Sequence, residues 1–173
     1  MFNIAKDFWF AYNNSMKLVK KVAVLLTQRN QTLSLAESCT GGFLSHCLTN
    51  IPGSSKFFKI GIIAYANEAK EKLLGVPSST LKKYGAVSLP SIRQMAQGAR
   101  LLLKTDFGLA ISGIAGPGGS TPKKPLGLTF IAISSKNKTH SFRFIFKGSR
   151  LSVKKQAASK ALEILLEFLH ESK

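Results

Sequence analysis

Four polar clusters in this 173-residue chain carry side chains able to attack, protonate or bind a substrate. They are Glu37-Ser38-Cys39-Thr40-Gly41-Gly42, Gly53-Ser54-Ser55, Tyr65-Ala66-Asn67-Glu68-Ala69-Lys70 and Ser112-Gly113-Ile114-Ala115-Gly116-Pro117. A serine hydroxyl attacks a carbonyl only when a base takes its proton. No histidine falls in any cluster, so the available base is a lysine held neutral. Bringing a lysine from about 10.4 toward 7 or 8 requires roughly 4 kcal/mol of bias against the ammonium form. If Asn67 caps a helix, Lys70 lies in its first turn, where the helix dipole and partial burial favour the uncharged amine. The competing reading makes Lys70 an exposed helical residue at an unfavourable end. Each glycine-rich turn has two readings as well: it presents backbone N–H groups to a phosphate or oxyanion, or it only connects two elements.

The elements that must hold these clusters follow from hydrophobic spacing. Leu18, Val19, Val22, Leu25 and Leu26 recur at helical intervals, predicting a helix from about Ser15 to Arg29. Thr32 to Ala36 reads as a buried strand, and the turn after it opens a helix from about Gly42 to Asn50. Pro52-Gly53-Ser54-Ser55 breaks that helix, and Ile60 to Tyr65 reads as a second strand. Helices are predicted over Asn67–Leu74, Thr80–Tyr84 and Pro90–Lys104, and a third strand over Phe107–Ile111. Leu126–Ser134 and Thr139–Phe146 form a hairpin through Lys136-Asn137-Lys138, and a last helix runs from after Gly148 to about His170. Strands alternating with helices predict an α/β fold, a three-layer α/β/α domain with a mixed central sheet. Ligands in such sheets sit beyond the carboxyl ends of the strands.

Composition narrows the chemistry further. The length suits a single domain. The division expected is an extension over residues 1–15, bearing Phe2, Phe8, Trp9, Phe10 and Tyr12, and a domain over 16–173. That extension reads as a membrane-touching or partner-touching arm, or as a docking helix. Lys and Arg number 25 against 8 Asp and Glu, a formal charge of +17 that attracts anions. Between Phe107 and Leu162 there are ten basic residues and no carboxylate. The three histidines are scattered without metal-ligand spacing, so neither metal nor cofactor is expected. Cys39 and Cys47, eight residues apart, are too distant along a helix to bridge and suggest a reducing, cytoplasmic setting. No run reaches the roughly 18 apolar residues of a membrane span.

In order and spacing, Ala36-Glu-Ser-Cys-Thr-Gly-Gly42, Pro52-Gly-Ser-Ser55, Tyr65-Ala-Asn-Glu-Ala-Lys70, Leu74-Gly-Val76, Gly85-Ala-Val-Ser88, Ser112-Gly-Ile-Ala-Gly-Pro-Gly-Gly119 and Lys124-Pro-Leu-Gly127 resemble the CinA C-terminal domain family. The resemblance runs from about Lys17 to Leu169. It implies deamidation of nicotinamide mononucleotide to nicotinic acid mononucleotide and ammonia by a Ser/Lys acyl-enzyme mechanism, and a homo-oligomer. Longer family members carry a further N-terminal domain for which these residues leave no room, so a stand-alone form is expected. By the family's pattern Ser55 is the nucleophile and Lys70 the base. Tyr65 matches a position that assists the pair, although a core tyrosine with its hydroxyl satisfied elsewhere is the competing reading. Ser38 and Ser112 match further site positions that hydrogen-bond substrate or nucleophile, with neighbouring N–H groups as oxyanion donors. Arg150 matches an arginine whose fork suits a phosphate, within Gly148-Ser149-Arg150 where the family more often has Gly-Asp-Arg. Thr40 suits the same phosphate, and helix capping explains it equally well.

Two rivals stand beside this reading. One is a catalytically idle family member acting as a scaffold. The other is a phosphate-binding or nucleic-acid-binding accessory protein, although no aromatic and basic platform or recognition helix is evident in the sequence.

Overall fold

The computed structural model describes the backbone of residues 4–171 and the side chains of residues 16–171. Five strands form one sheet in the order β2-β1-β3-β4-β5. They are β1 (Leu33–Glu37), β2 (Phe58–Ile63), β3 (Phe107–Gly113), β4 (Leu128–Ser134) and β5 (Thr139–Ile145). β1 runs parallel to both neighbours, while β3, β4 and β5 alternate in direction. The sheet is therefore mixed, as the terminal hairpin predicts.

Side chains alternate across β1, β3 and β4 and build two cores. Leu33, Leu35, Leu109, Ile111, Ile131 and Ile133 face the helices α1 (Ile4–Gln28), α2 (Phe43–Thr49) and α6 (Arg150–Glu171). Ala36, Ala110, Phe130 and Ala132 face the opposite layer of α3 (Asn67–Leu74), α4 (Ser78–Tyr84) and α5 (Leu89–Leu102). The result is the three-layer α/β/α arrangement. Small alanines on the second face let α5 lie close to the sheet. Close approach also fixes α3, because a Cβ on Gly98 of α5 would stand 1.9 Å from the Leu74 carbonyl oxygen that ends α3.

Two boundaries differ from expectation. α1 starts at Ile4 rather than at about Ser15. The aromatic arm proposed for Phe2 to Tyr12 lies outside the residues whose side chains are described. β2 spans Phe58–Ile63 rather than Ile60–Tyr65, because its pairing with β1 ends at Glu37↔Ile63. Tyr65 thus stands two residues beyond the strand, in the connection to α3. No described helix is long and apolar enough to cross a membrane.

β1 lies between β2 and β3, and the chain leaves it first toward one neighbour and then crosses back to the other. That reversal opens a crevice at the carboxyl ends of the three parallel strands, where α/β sheets take their ligands.

Candidate active site

Glu37 closes β1 and is fully buried. Its carboxylate accepts hydrogen bonds from the backbone N–H groups of Gly42 (3.1 Å), Leu44 (3.2 Å) and Ser45 (2.8 Å) and from the Ser45 hydroxyl (2.7 Å). The charge therefore satisfies the start of α2, and the turn Ser38–Gly42 is clamped between a strand and its own helix. Of the two readings of this glycine-rich turn, the connecting one holds for the N–H groups of Gly42, Leu44 and Ser45, which Glu37 already occupies. Gly41 N–H goes to the Ser38 carbonyl and Ser38 N–H to Ile111. Only the amides of Cys39 and Thr40 in this turn stay uncommitted to another residue among the described residues.

Beyond the turn lies a cavity of about 200 Å³ lined by Ser38, Cys39, Tyr65, Lys70, Ser112 and Arg150, with Asn67 and Gly113 beside them. No carboxylate lines it. Lys70 is 1% exposed. Its Nζ donates to the carbonyls of Ala64 at 2.7 Å and Tyr65 at 2.9 Å, with a long third contact of 3.5 Å to Ala66. A neutral amine has two N–H groups, so it keeps both short bonds after losing a proton. Burial pulls the Lys70 pKa below its ordinary 10.5, and the nearby Cys39 thiol partly opposes that shift. Asn67 is the first residue of α3 rather than its cap, which is Ala66 with no side-chain hydrogen bond. Burial, more than a capped helix start, therefore biases this lysine toward neutrality.

The hydroxyls around the amine differ in their commitments. Ser112 Oγ donates to the Ala86 carbonyl at 3.2 Å. The Tyr65 hydroxyl accepts from Arg150 Nη2 at 3.1 Å, while Arg150 Nη1 donates to the Gly116 carbonyl at 2.6 Å. Ser38 Oγ has no hydrogen-bond partner among the described residues and lines the cavity. Thr40 Oγ1 is buried and equally without a partner.

Ser55 lies elsewhere. It sits on the short 3-10 turn Ser54–Lys56 before β2, whereas Lys70 follows β2. Leu33 N–H, at the start of β1, bonds the Phe57 carbonyl at 2.7 Å, which sets this turn at the amino end of the sheet. The six residues of β2 span about 17 Å at roughly 3.3 Å per residue. The Ser55 side chain is exposed and absent from the cavity wall. Within one chain, the expected pairing of Ser55 with Lys70 is not assembled, because a parallel strand separates them.

Cys39 and Glu37 were given no role from sequence, although both belong to a cluster singled out by its residue types. Burial pushes the Cys39 thiol up to about 11, with its own backbone N–H, Lys154 and Arg150 pulling the other way and Glu37 adding to the rise. It is a protonated thiol at neutral pH, a wall of the cavity and not a thiolate nucleophile. No group of three or more His, Cys, Asp or Glu side chains converges among the described residues.

Comparison with known proteins meets this geometry. The CinA C-terminal domain family profile matches residues 15–169. A CinA-like protein of Endomicrobium trichonymphae is 44% identical over 94% of this chain and 38% of its own length. Another of Syntrophus aciditrophicus is 50% identical over 86% and 36%. The chain thus spans less than two fifths of the curated relatives it matches. The crystal structure of the competence damage-inducible protein A (ComA) from Klebsiella pneumoniae superposes with a TM-score of 0.89 at 33% identity, covering 92% of this chain and 99% of that one. The competence/damage inducible protein CihA from Agrobacterium tumefaciens gives 0.87 at 35% identity, covering 91% and 96%.

Proposed function

Because the chain belongs to the CinA C-terminal domain family, we propose that it deamidates a pyridine mononucleotide, nicotinamide mononucleotide to nicotinic acid mononucleotide and ammonia, at the Lys70 cavity. The observation that carries this reading is one juxtaposition: a buried lysine whose ammonium form is disfavoured shares a carboxylate-free cavity with the unpartnered hydroxyl of Ser38. Ser38, which shares the cavity with Lys70, is therefore the nucleophile of this reading in place of Ser55.

In the reaction, Ser38 Oγ bonds to the carboxamide carbon while neutral Lys70 takes the hydroxyl proton. The tetrahedral oxyanion is met by backbone N–H groups, for which Cys39 and Thr40 are the uncommitted candidates in the turn. Collapse breaks the C–N bond, and Lys70 returns its proton to the departing ammonia. Water then attacks the resulting ester, Lys70 removes its proton, and that proton passes back to Ser38 as the acid leaves. The pyridinium withdraws electrons from the amide throughout, so positioning does most of the work. Tyr65 supports Lys70 through its carbonyl and is held by Arg150 through its hydroxyl. Arg150 spends two of its five N–H donors on these contacts and keeps the rest for the substrate phosphate. The cavity is smaller than the roughly 300–1,000 Å³ of drug-sized ligand sites. It suits the ring and amide, with ribose and phosphate at the mouth.

An ammonia-release assay on nicotinamide mononucleotide tests this, comparing wild type with Ser38→Ala and Lys70→Met. Wild-type turnover lost in both variants supports the reading. No ammonia from the wild type favours the scaffold or anion-binding alternatives, and turnover surviving in either variant removes that residue from its role.

A further inference from the structure

We propose that Lys154 completes a phosphate subsite beside the Lys70 cavity, supplying the second positive charge that a phosphate monoester dianion requires. The inference rests on the proposed mononucleotide substrate for its biological meaning, but its geometry is independent of turnover.

A phosphate monoester carries between one and a half and two negative charges near neutral pH. Arg150 can balance one of them. The next cation on the same helix face is Lys154, one turn along α6. Its Nζ lies 3.5 Å from the position a Cβ would take on Gly41, so it reaches the turn that carries Ser38, Cys39 and Thr40. Its charge is felt at the Cys39 thiol, which lines the cavity. Lys154 is half-buried, and no carboxylate or carbonyl among the described residues holds it. The nearest acid in the turn, Glu37, has both oxygens committed to the start of α2. Thr40, between Cys39 and Gly41, buries its hydroxyl with no partner. It caps no helix, and it is absent from the cavity wall, so the subsite rests on the two cations, Arg150 and Lys154.

The test compares wild type, Lys154→Met, Lys154→Arg and, as a control for lost net charge, Lys82→Met. Two readouts are used: KM and kcat for nicotinamide mononucleotide against nicotinamide riboside, and the rise in melting midpoint with orthophosphate. Loss of one charge-assisted contact predicts that Lys154→Met lowers the preference for mononucleotide over riboside by about tenfold to a hundredfold, chiefly through KM. It also predicts loss of most of the orthophosphate-dependent shift. Lys154→Arg restores most of both, and Lys82→Met changes neither. An unchanged preference in Lys154→Met, equal phosphate shifts in wild type and variant, or no phosphate shift in the wild type overturns the subsite. If the wild type releases no ammonia, the deamidase reading falls while the orthophosphate arm still decides the subsite.

Discussion

The two ends of the sheet carry the same residue types and use them oppositely. At the amino end, Thr32 donates to the Asp106 carboxylate from both N–H and hydroxyl at 2.7 Å, and Thr105 Oγ1 lies 3.0 Å from Ser34 Oγ and from the Phe107 carbonyl. Those polar groups are satisfied, and they tie the entry of β1 to the entry of β3. At the carboxyl end, Ser38 keeps a hydroxyl without a partner in the cavity that the buried Lys70 lines, and Thr40 keeps a second in the same turn. Paired hydroxyls fasten strands, and unpaired ones beside a disfavoured charge are poised for a substrate. Glu37 at the carboxyl end behaves like the amino-end groups, and its bonds hold the turn that carries Ser38.

Substitutions sharpen the contrast in order of expected effect. Lys70→Met or Ser38→Ala should lower kcat/KM for ammonia release by about a thousandfold or more, while the folded far-UV circular dichroism is retained. Glu37→Ala should cost about 1–3 kcal/mol by urea unfolding for each buried N–H group it strands at the start of α2. At the amino end, Thr105→Val should cost about 1–3 kcal/mol and leave turnover intact, because its hydroxyl serves only the fold. The pH dependence follows from the lowered Lys70 pKa. Above the unfolded value of about 10.5 this lysine imposes no penalty. As pH falls toward its folded pKa, the unfolded chain binds the proton more readily, and stability declines. That slope should be present in wild type and absent in Lys70→Met, and kcat/KM should climb as pH rises through the same folded pKa. Ser55→Ala is the smallest change, within about 0.5 kcal/mol of wild type and with turnover retained. Should it abolish turnover, mixing Ser55→Ala with Lys70→Met would show whether a second copy supplies the hydroxyl, since mixed subunits would then regain activity.

Much of this was legible in residue order. The strand read at Thr32–Ala36, the helix read at Pro90–Lys104 and the terminal hairpin all appear within two residues of where hydrophobic patterning puts them. β2 was displaced by two residues because Phe58 and Tyr65 are equally good strand formers, and only pairing with β1 decides between them. Lys70 was identifiable as a candidate base, but its burial under the carbonyls of Ala64 and Tyr65 is a tertiary fact. The Ser55 assignment illustrates a signal present and outweighed. Two parallel strands place every turn that precedes a strand at one edge and every turn that follows one at the other. Gly53-Ser54-Ser55 precedes β2 and Lys70 follows it, so chain direction alone separates them once β1 and β2 are taken as parallel. The free hydroxyl of Ser38 and the reach of Lys154 to Gly41 depend on where neighbours end, which no spacing encodes.

The most direct test is to acid-quench the enzyme during turnover of nicotinamide mononucleotide and map the acylated peptide by mass spectrometry. An ester on Ser38, absent from Ser38→Ala and failing to accumulate in Lys70→Met, is the predicted result. An adduct on Ser55, or steady ammonia release from Ser38→Ala, would contradict the assignment of catalysis to the carboxyl end of the sheet within one chain.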